Sequence, residues 1–149
     1  MRAKPLALRQ SYFYRTSPQR LFRALTDPKQ IVGWFLAKAE LSLEKGAPYR
    51  FEWAGGYSHT GRVLDVVPDR RLSLEWPNGS GTHRFQTQVT FTLRRAGRGT
   101  FLTVNHTGFP RTPVGLEQYG GTQSGWAYYL LNLRSVLEFG RDLRSPRDG

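Results

Sequence analysis

The stretch QYGGTQSGWAYYLLNLRSVLEFGR, Gln118 to Arg141, follows a long run of strand-like segments and reads as one amphipathic helix. Trp126, Leu130, Leu133 and Leu137 fall at i, i+4, i+7 and i+11, the apolar stripe of a 3.6-residue period, and Tyr129 and Val136 widen it. At 1.5 Å per residue such a helix is about 36 Å long, comparable to the roughly 33 Å of a ten-residue strand. It is therefore long enough to cross a whole sheet. A straight rod on a twisted sheet rarely touches it along its full length, so a cavity at one end is expected.

Upstream of that helix the pattern is dyadic. Alternating segments run over Ala39–Leu43, Tyr49–Trp53, Thr60–Val67, Arg71–Trp76, Arg84–Arg94 and Thr100–Thr107. Turn signals separate them: Lys45-Gly46, Gly55-Gly56, Pro68-Asp69, Asn78-Gly79 and Gly97-Arg98-Gly99. Pro48, Pro68 and Pro77 are read as lying just outside the strands. Tyr49, Phe51 and Trp53 share one face, as do Leu72, Leu74 and Trp76, and as do Phe85, Val89, Phe91 and Leu93. The opposite faces carry Arg50, Glu52, Ser73, Glu75, Gln88 and Thr90, the greasy-in, wet-out pattern of an antiparallel sheet. Before these segments, Leu6–Tyr14 reads as a first strand. Ser17-Pro18 and Asp27-Pro28 each read as an N-cap with proline at the first helical position, so two short helices follow, the second running to about Gly33. The sum is an α+β domain with helices on one side of an antiparallel sheet.

Composition narrows the functional classes. A chain of 149 residues fits one domain, here bounded at 1–143 with a flexible tail over 144–149. With no cysteine, disulfides, thiolate metal sites and cysteine nucleophiles are excluded. Met1 to Leu8 lacks the apolar core of a signal peptide and no run approaches a membrane span, so a cytoplasmic protein is the expectation. The net charge of +11 is spread over turns and ends (Arg70, Arg71, Arg94, Arg95, Arg98) with no basic groove in evidence. It is read as a solubilising surface rather than a nucleic-acid footprint.

Four stretches together resemble a known superfamily: LFRALTDPKQIVGWF (Leu21 to Phe35), GRVLDVVPDRRLSLEW (Gly61 to Trp76), TQVTFTLRRAGRGTFLTVNHTGFP (Thr87 to Pro110) and GGTQSGWAYYLLNLRSVLEFG (Gly120 to Gly140). They resemble the START-like or SRPBCC superfamily and, within it, the family named for the activator of the Hsp90 ATPase. The resemblance implies a helix-grip fold, in which a curved antiparallel sheet wraps the C-terminal helix and encloses a pocket. It leaves the activity open, because relatives include lipid and hormone carriers, aromatase/cyclases and co-chaperone domains.

Catalytic signatures are sparse. His59, His83 and His106 are the only histidines and show no metal-ligand spacing, and there is no Gly-x-Ser-x-Gly, P-loop or dinucleotide fingerprint. No cofactor and no metal are expected. His106 alternates with Leu102 and Val104 and is the best polar candidate, as a ligand contact or a base; the competing reading is a histidine held to backbone near the strand end. Glu52, Asp65, Glu75 and Arg62 reach a pocket only if a bulge reverses their face.

The expected function is non-covalent binding of an apolar or aromatic small molecule between sheet and helix. Trp126, Tyr129, Leu130 and Leu133 would form the helix wall. Phe51, Trp53, Leu74, Trp76, Phe91, Leu102 and Val104 would form the sheet wall, with His106 as polar contact. The rivals are a cyclase- or aromatase-like enzyme in the same cavity and a co-chaperone or regulatory interaction module. A protein partner and a homodimer stay open.

Overall fold

Alternation and capping build the elements largely where the sequence places them. The computed structural model describes residues 4–145. β1 (Leu6–Tyr14) leads into α1 (Pro18–Thr26) and α2 (Pro28–Ile31). There follow β2 (Lys38–Glu40), β3 (Pro48–Glu52), β4 (Ser58–Val67), β5 (Arg71–Asn78), β6 (Phe85–Ala96), β7 (Gly99–Phe109) and the long helix α3 (Pro113–Phe139). The Ser17 hydroxyl accepts the Arg20 N–H at 3.1 Å and the Asp27 carboxylate accepts the Lys29 N–H at 3.0 Å, which fixes the starts of α1 and α2.

The strands form one seven-stranded antiparallel sheet in the order β1-β7-β6-β5-β4-β3-β2. The first strand thus closes against the last, with Leu8 opposite His106 and Tyr14 opposite Thr100. The inward residues of β5, β6 and β7 (Leu72, Leu74, Val89, Phe91, Leu102, Val104) are all buried and meet Trp126, Leu130 and Leu133 of α3.

Several boundaries differ from the sequence reading. Helix α3 begins at Pro113, not Gln118, because Thr112-Pro113 is the same cap-plus-proline signal as at α1 and α2; the Thr112 hydroxyl accepts the Gly115 N–H at 3.1 Å. The helix ends at Gly140, whose φ of 67° places it in the left-handed region. Pro48 and Pro77 lie inside strands. Pro48 is the first residue of β3, and Pro77 pairs with Gln86 of β6 beyond Leu74, where the β4–β5 ladder has ended, so its missing N–H costs no bond on that side. The second strand is short, Lys38–Glu40, and does not reach Leu43.

The C-terminal segment starts docked. The Arg144 guanidinium donates to the carbonyls of Val32 at 2.8 Å and Leu36 at 3.3 Å and pairs with Asp142 at 2.9 Å, leaving its side chain 4% exposed. Arg144 is therefore not part of a free tail; residues 146–149 lie outside the described residues. Among the described residues no helix is long and apolar enough to cross a membrane.

Candidate functional site

The site grows from one bulky side chain on α3. Trp126 is buried at the centre of the helix–sheet contact, its ring 5.2 Å from Trp76, 5.3 Å from Phe91 and 5.5 Å from Phe35. Phe35 comes from the loop after α2 and stands edge-on to Tyr129 at 4.8 Å and to Trp53 at 5.6 Å. Where α3 leaves the sheet these rings bound a notch of about 130 Å³. Its walls are Phe35, Trp53 and Trp76 on one side and Thr122, Gly125, Trp126 and Tyr129 on the other. Gly125 has open space where a Cβ would stand, so the bare backbone there is part of the opening.

The wall expected from the sequence divides in three. Trp53, Trp76, Trp126 and Tyr129 line the notch. Phe51, Leu74 and Phe91, again with Trp76 and Trp126, surround a deeper crevice of only about 10 Å³, too small for a ligand. Leu102, Val104, Leu130 and Leu133 are wholly buried core that borders neither space. Phe35, Thr122 and Gly125 were missed. Phe35 sits in a loop with no periodicity to assign its side, and Thr122 and Gly125 carry no apolar signal. Glu52, Asp65, Glu75 and Arg62 border neither space. A register shift between Val63 and Asp65 does occur, but Asp65 pairs with Arg71 at 2.7 Å and Glu75 accepts the Arg62 N–H at 2.9 Å.

His106 is inward-facing and wholly buried. Its Nδ1 accepts the Trp126 indole N–H at 3.0 Å, which leaves Nε2 as the protonated nitrogen, donating to the Thr87 hydroxyl at 2.7 Å. The Thr87 hydroxyl in turn donates to the Trp76 carbonyl at 2.6 Å and accepts from the Asn78 amide at 2.7 Å. Burial holds the imidazole neutral, with its pKa lowered to about 3. The partners are side chains on β6 and α3, not the backbone of the strand end. With both nitrogens committed, His106 positions Trp126 and has no free lone pair for a substrate proton.

His59, on β4, is the second buried histidine. The Tyr49 hydroxyl donates to the Glu75 carbonyl in a short bond, so its oxygen accepts from His59 Nε2 at 3.1 Å. That leaves Nδ1 of His59 as a bare acceptor, buried and without a partner. Burial lowers this imidazole's pKa to about 4 and raises that of the Tyr49 phenol, so both stay neutral at pH 7. His59 lines a groove of about 540 Å³ at the β3–β4 and β5–β6 end of the sheet, with Arg50 and Arg84 among its walls. The sequence showed no basic groove because these two arginines lie 34 positions apart and meet only through strand pairing. Among the described residues no three His, Asp or Glu side chains cluster as metal ligands.

A seven-stranded antiparallel sheet gripping a long C-terminal helix, with an aromatic-lined notch where the two diverge, defines the helix-grip class of START-like domains. Within that class, the sequence profile described as "Activator of Hsp90 ATPase homolog 1-like protein" matches residues 15–138, and the chain belongs to that family. The chain is 24% identical over 131 residues to "Activator of 90 kDa heat shock protein ATPase homolog 1" of Mus musculus, and equally so to that of Homo sapiens. These matches cover 87% of this chain but 36% of those proteins, so it spans about a third of their length. Among solved structures, a protein from Mesorhizobium loti superposes with a TM-score of 0.82 at 27% identity, covering 89% of this chain and 97% of that one. The Aha1 dimer from Colwellia psychrerythraea superposes at 0.77 with 20% identity, covering 91% and 98%, a likeness of fold.

Proposed function

We propose that this domain binds one small aromatic or apolar molecule, without covalent chemistry, in the notch between α3 and the sheet. The observation that carries this reading is the ring of Phe35, Trp53, Trp76, Trp126 and Tyr129 around an open space, with the Thr122 side chain at its rim. Its volume of about 130 Å³ is well below the roughly 300–1,000 Å³ of sites for drug-sized ligands. The occupant is therefore a single-ring compound, or a larger one inserting a single ring. The enzyme reading loses its best base, because His106 is buried and bonded through both nitrogens.

Native mass spectra of the protein purified from its own host, followed by denaturing spectra, test the proposal. A stoichiometric adduct lost on denaturation is expected, and Gly125→Leu, which fills the notch from a position with open space, should abolish it while the fold persists. A clean mass, with no change in tryptophan fluorescence on adding indole or phenol, would overturn it.

A protein-interaction reading has one specific support. Leu116, Tyr128, Leu131 and Phe139 of α3 are exposed, Phe139 at 78%, on a domain whose relatives are named as activators of a 90 kDa heat shock protein ATPase.

A further inference from the structure

The groove at the far end of the sheet is separate from the notch and has a different chemistry. Two cations, Arg50 and Arg84, line it together with Ser58, Thr60, Ser80 and Gln86, and no carboxylate is among its lining residues. Arg50 is only loosely neutralised, 3.8 Å from Glu52, and Arg84 has no acidic partner among the described residues. An opening with net positive charge and hydroxyl and amide walls suits an oxyanion, which guanidinium groups hold by charge-assisted hydrogen bonds.

His59 supplies the second, independent observation. Only 8% exposed, it lines the same groove and carries the one buried side-chain polar atom without a hydrogen-bond partner among the described residues. Its tautomer follows from the Tyr49 hydroxyl donating to the Glu75 carbonyl, so the orphan Nδ1 accepts and does not donate. Leaving a buried acceptor unpaired is costly, and such groups ordinarily find a partner or mark a function. The missing partner is a donor, which a fully ionised carboxylate or phosphate group does not provide.

We propose that this groove binds a small hydroxylated anion, a carboxylate or phosphate ester whose oxyanion lies between Arg50 and Arg84 and whose hydroxyl donates to His59 Nδ1. Nδ1 is closed from bulk water, so the ligand reaches it with the shift of a neighbouring side chain, and the exposed one among the rings around His59 is Tyr57. That side chain is 58% exposed, lines the groove and stands 6.3 Å from the His59 ring, next to the Gly55-Gly56 turn. The ring of His59 also packs edge-on against Trp76 at 4.5 Å, so the groove and the notch share a wall without sharing a ligand.

Matched pairs of probes test this: L-malate against succinate, and glycerol 3-phosphate against propyl phosphate, each pair differing by the hydroxyl. The readout is the imidazole nitrogen resonances of the 15N-labelled full chain. At least one hydroxylated anion should shift the His59 Nδ1 resonance saturably, with its deoxy counterpart at least about tenfold weaker. Which pair responds distinguishes the carboxylate from the phosphate source. Arg84→Gln, at an exposed position that leaves the fold intact, should weaken binding at least about tenfold. No saturable shift with either hydroxylated anion, equal binding within both pairs, or full affinity in Arg84→Gln would each overturn the proposal. Because the wild-type contrast between probes needs no variant, it stands even if His59→Phe, expected to erase that contrast, does not fold.

Discussion

Two imidazoles are buried uncharged, and that choice couples stability to pH. In the unfolded chain each histidine takes up a proton near pH 6.5, whereas in the fold burial lowers His59 to about 4 and His106 to about 3. Below about pH 6.5 the unfolded state therefore binds more protons. The stability contributed by these groups is intact above that pH and falls as pH drops towards the folded-state values. Urea denaturation between pH 6.5 and 4.5 should show stability declining by up to about 2.7 kcal/mol per pH unit, two protons at about 1.36 kcal/mol each; a flat profile would contradict the buried neutral assignment. The indole of Trp126 belongs to the same network, since its N–H is the donor to His106 Nδ1. Trp126→Phe keeps an aromatic ring but orphans that acceptor, and should cost about 1–3 kcal/mol in chemical denaturation. Polar identity at His106 was legible in the sequence; its partners were not, because Thr87 and Trp126 arrive from two other elements.

Helix α3 carries glycines with opposite meanings. At Gly115 a Cβ would stand 1.9 Å from the Pro110 carbonyl oxygen, so Gly115→Ala must displace the β7–α3 connection and should destabilise strongly. Gly120 and Gly121 are exposed in mid-helix, with nothing within 4 Å of where a methyl group would stand. Gly120→Ala and Gly121→Ala should each add about 1 kcal/mol of stability from helix propensity, raising the melting temperature by about 2–4 °C for a chain of this size. Calorimetry of the three variants would check both directions; destabilisation by either of the latter two would mean that the helix bends or opens there. The capping signals at Ser17-Pro18, Asp27-Pro28 and Thr112-Pro113 are chemically alike, and only the last escaped the reading because the helical stripe is clearest from Trp126 onward.

At the scale of the whole molecule, the C-terminal segment clamps the loop that forms one wall of the notch. Asn132, buried in α3, donates to the Trp34 carbonyl at 2.9 Å and accepts the Leu143 N–H at 2.6 Å, while Arg144 holds the carbonyls of Val32 and Leu36. Phe35 lies between those contacts and reaches Tyr129 and Trp126. Arg144→Ala should therefore cost about 1.5–3 kcal/mol, the range for hydrogen bonds to a charged group, and increase amide exchange over residues 32–36. Unchanged exchange there would mean that the loop is held by its rings alone. Such a variant should also weaken any ligand of the notch, since one wall loses its support.

Order and type of the elements were written in local chemistry: strand alternation, caps followed by proline, and the stripe from Trp126 to Leu137 depend on neighbours within a few residues. The same local chemistry made Trp53, Trp76, Trp126 and Tyr129 recognisable as a large aromatic set. Tertiary structure alone decided which of the apolar residues face empty space and which fill the core, because that depends on where α3 departs from the sheet and on a loop residue, Phe35, without any period. It alone brought Arg50, His59 and Arg84 to one groove, since their meeting rests on pairing between β3, β4, β5 and β6. Packing, not propensity, determines those distances, and packing is a property of the whole chain.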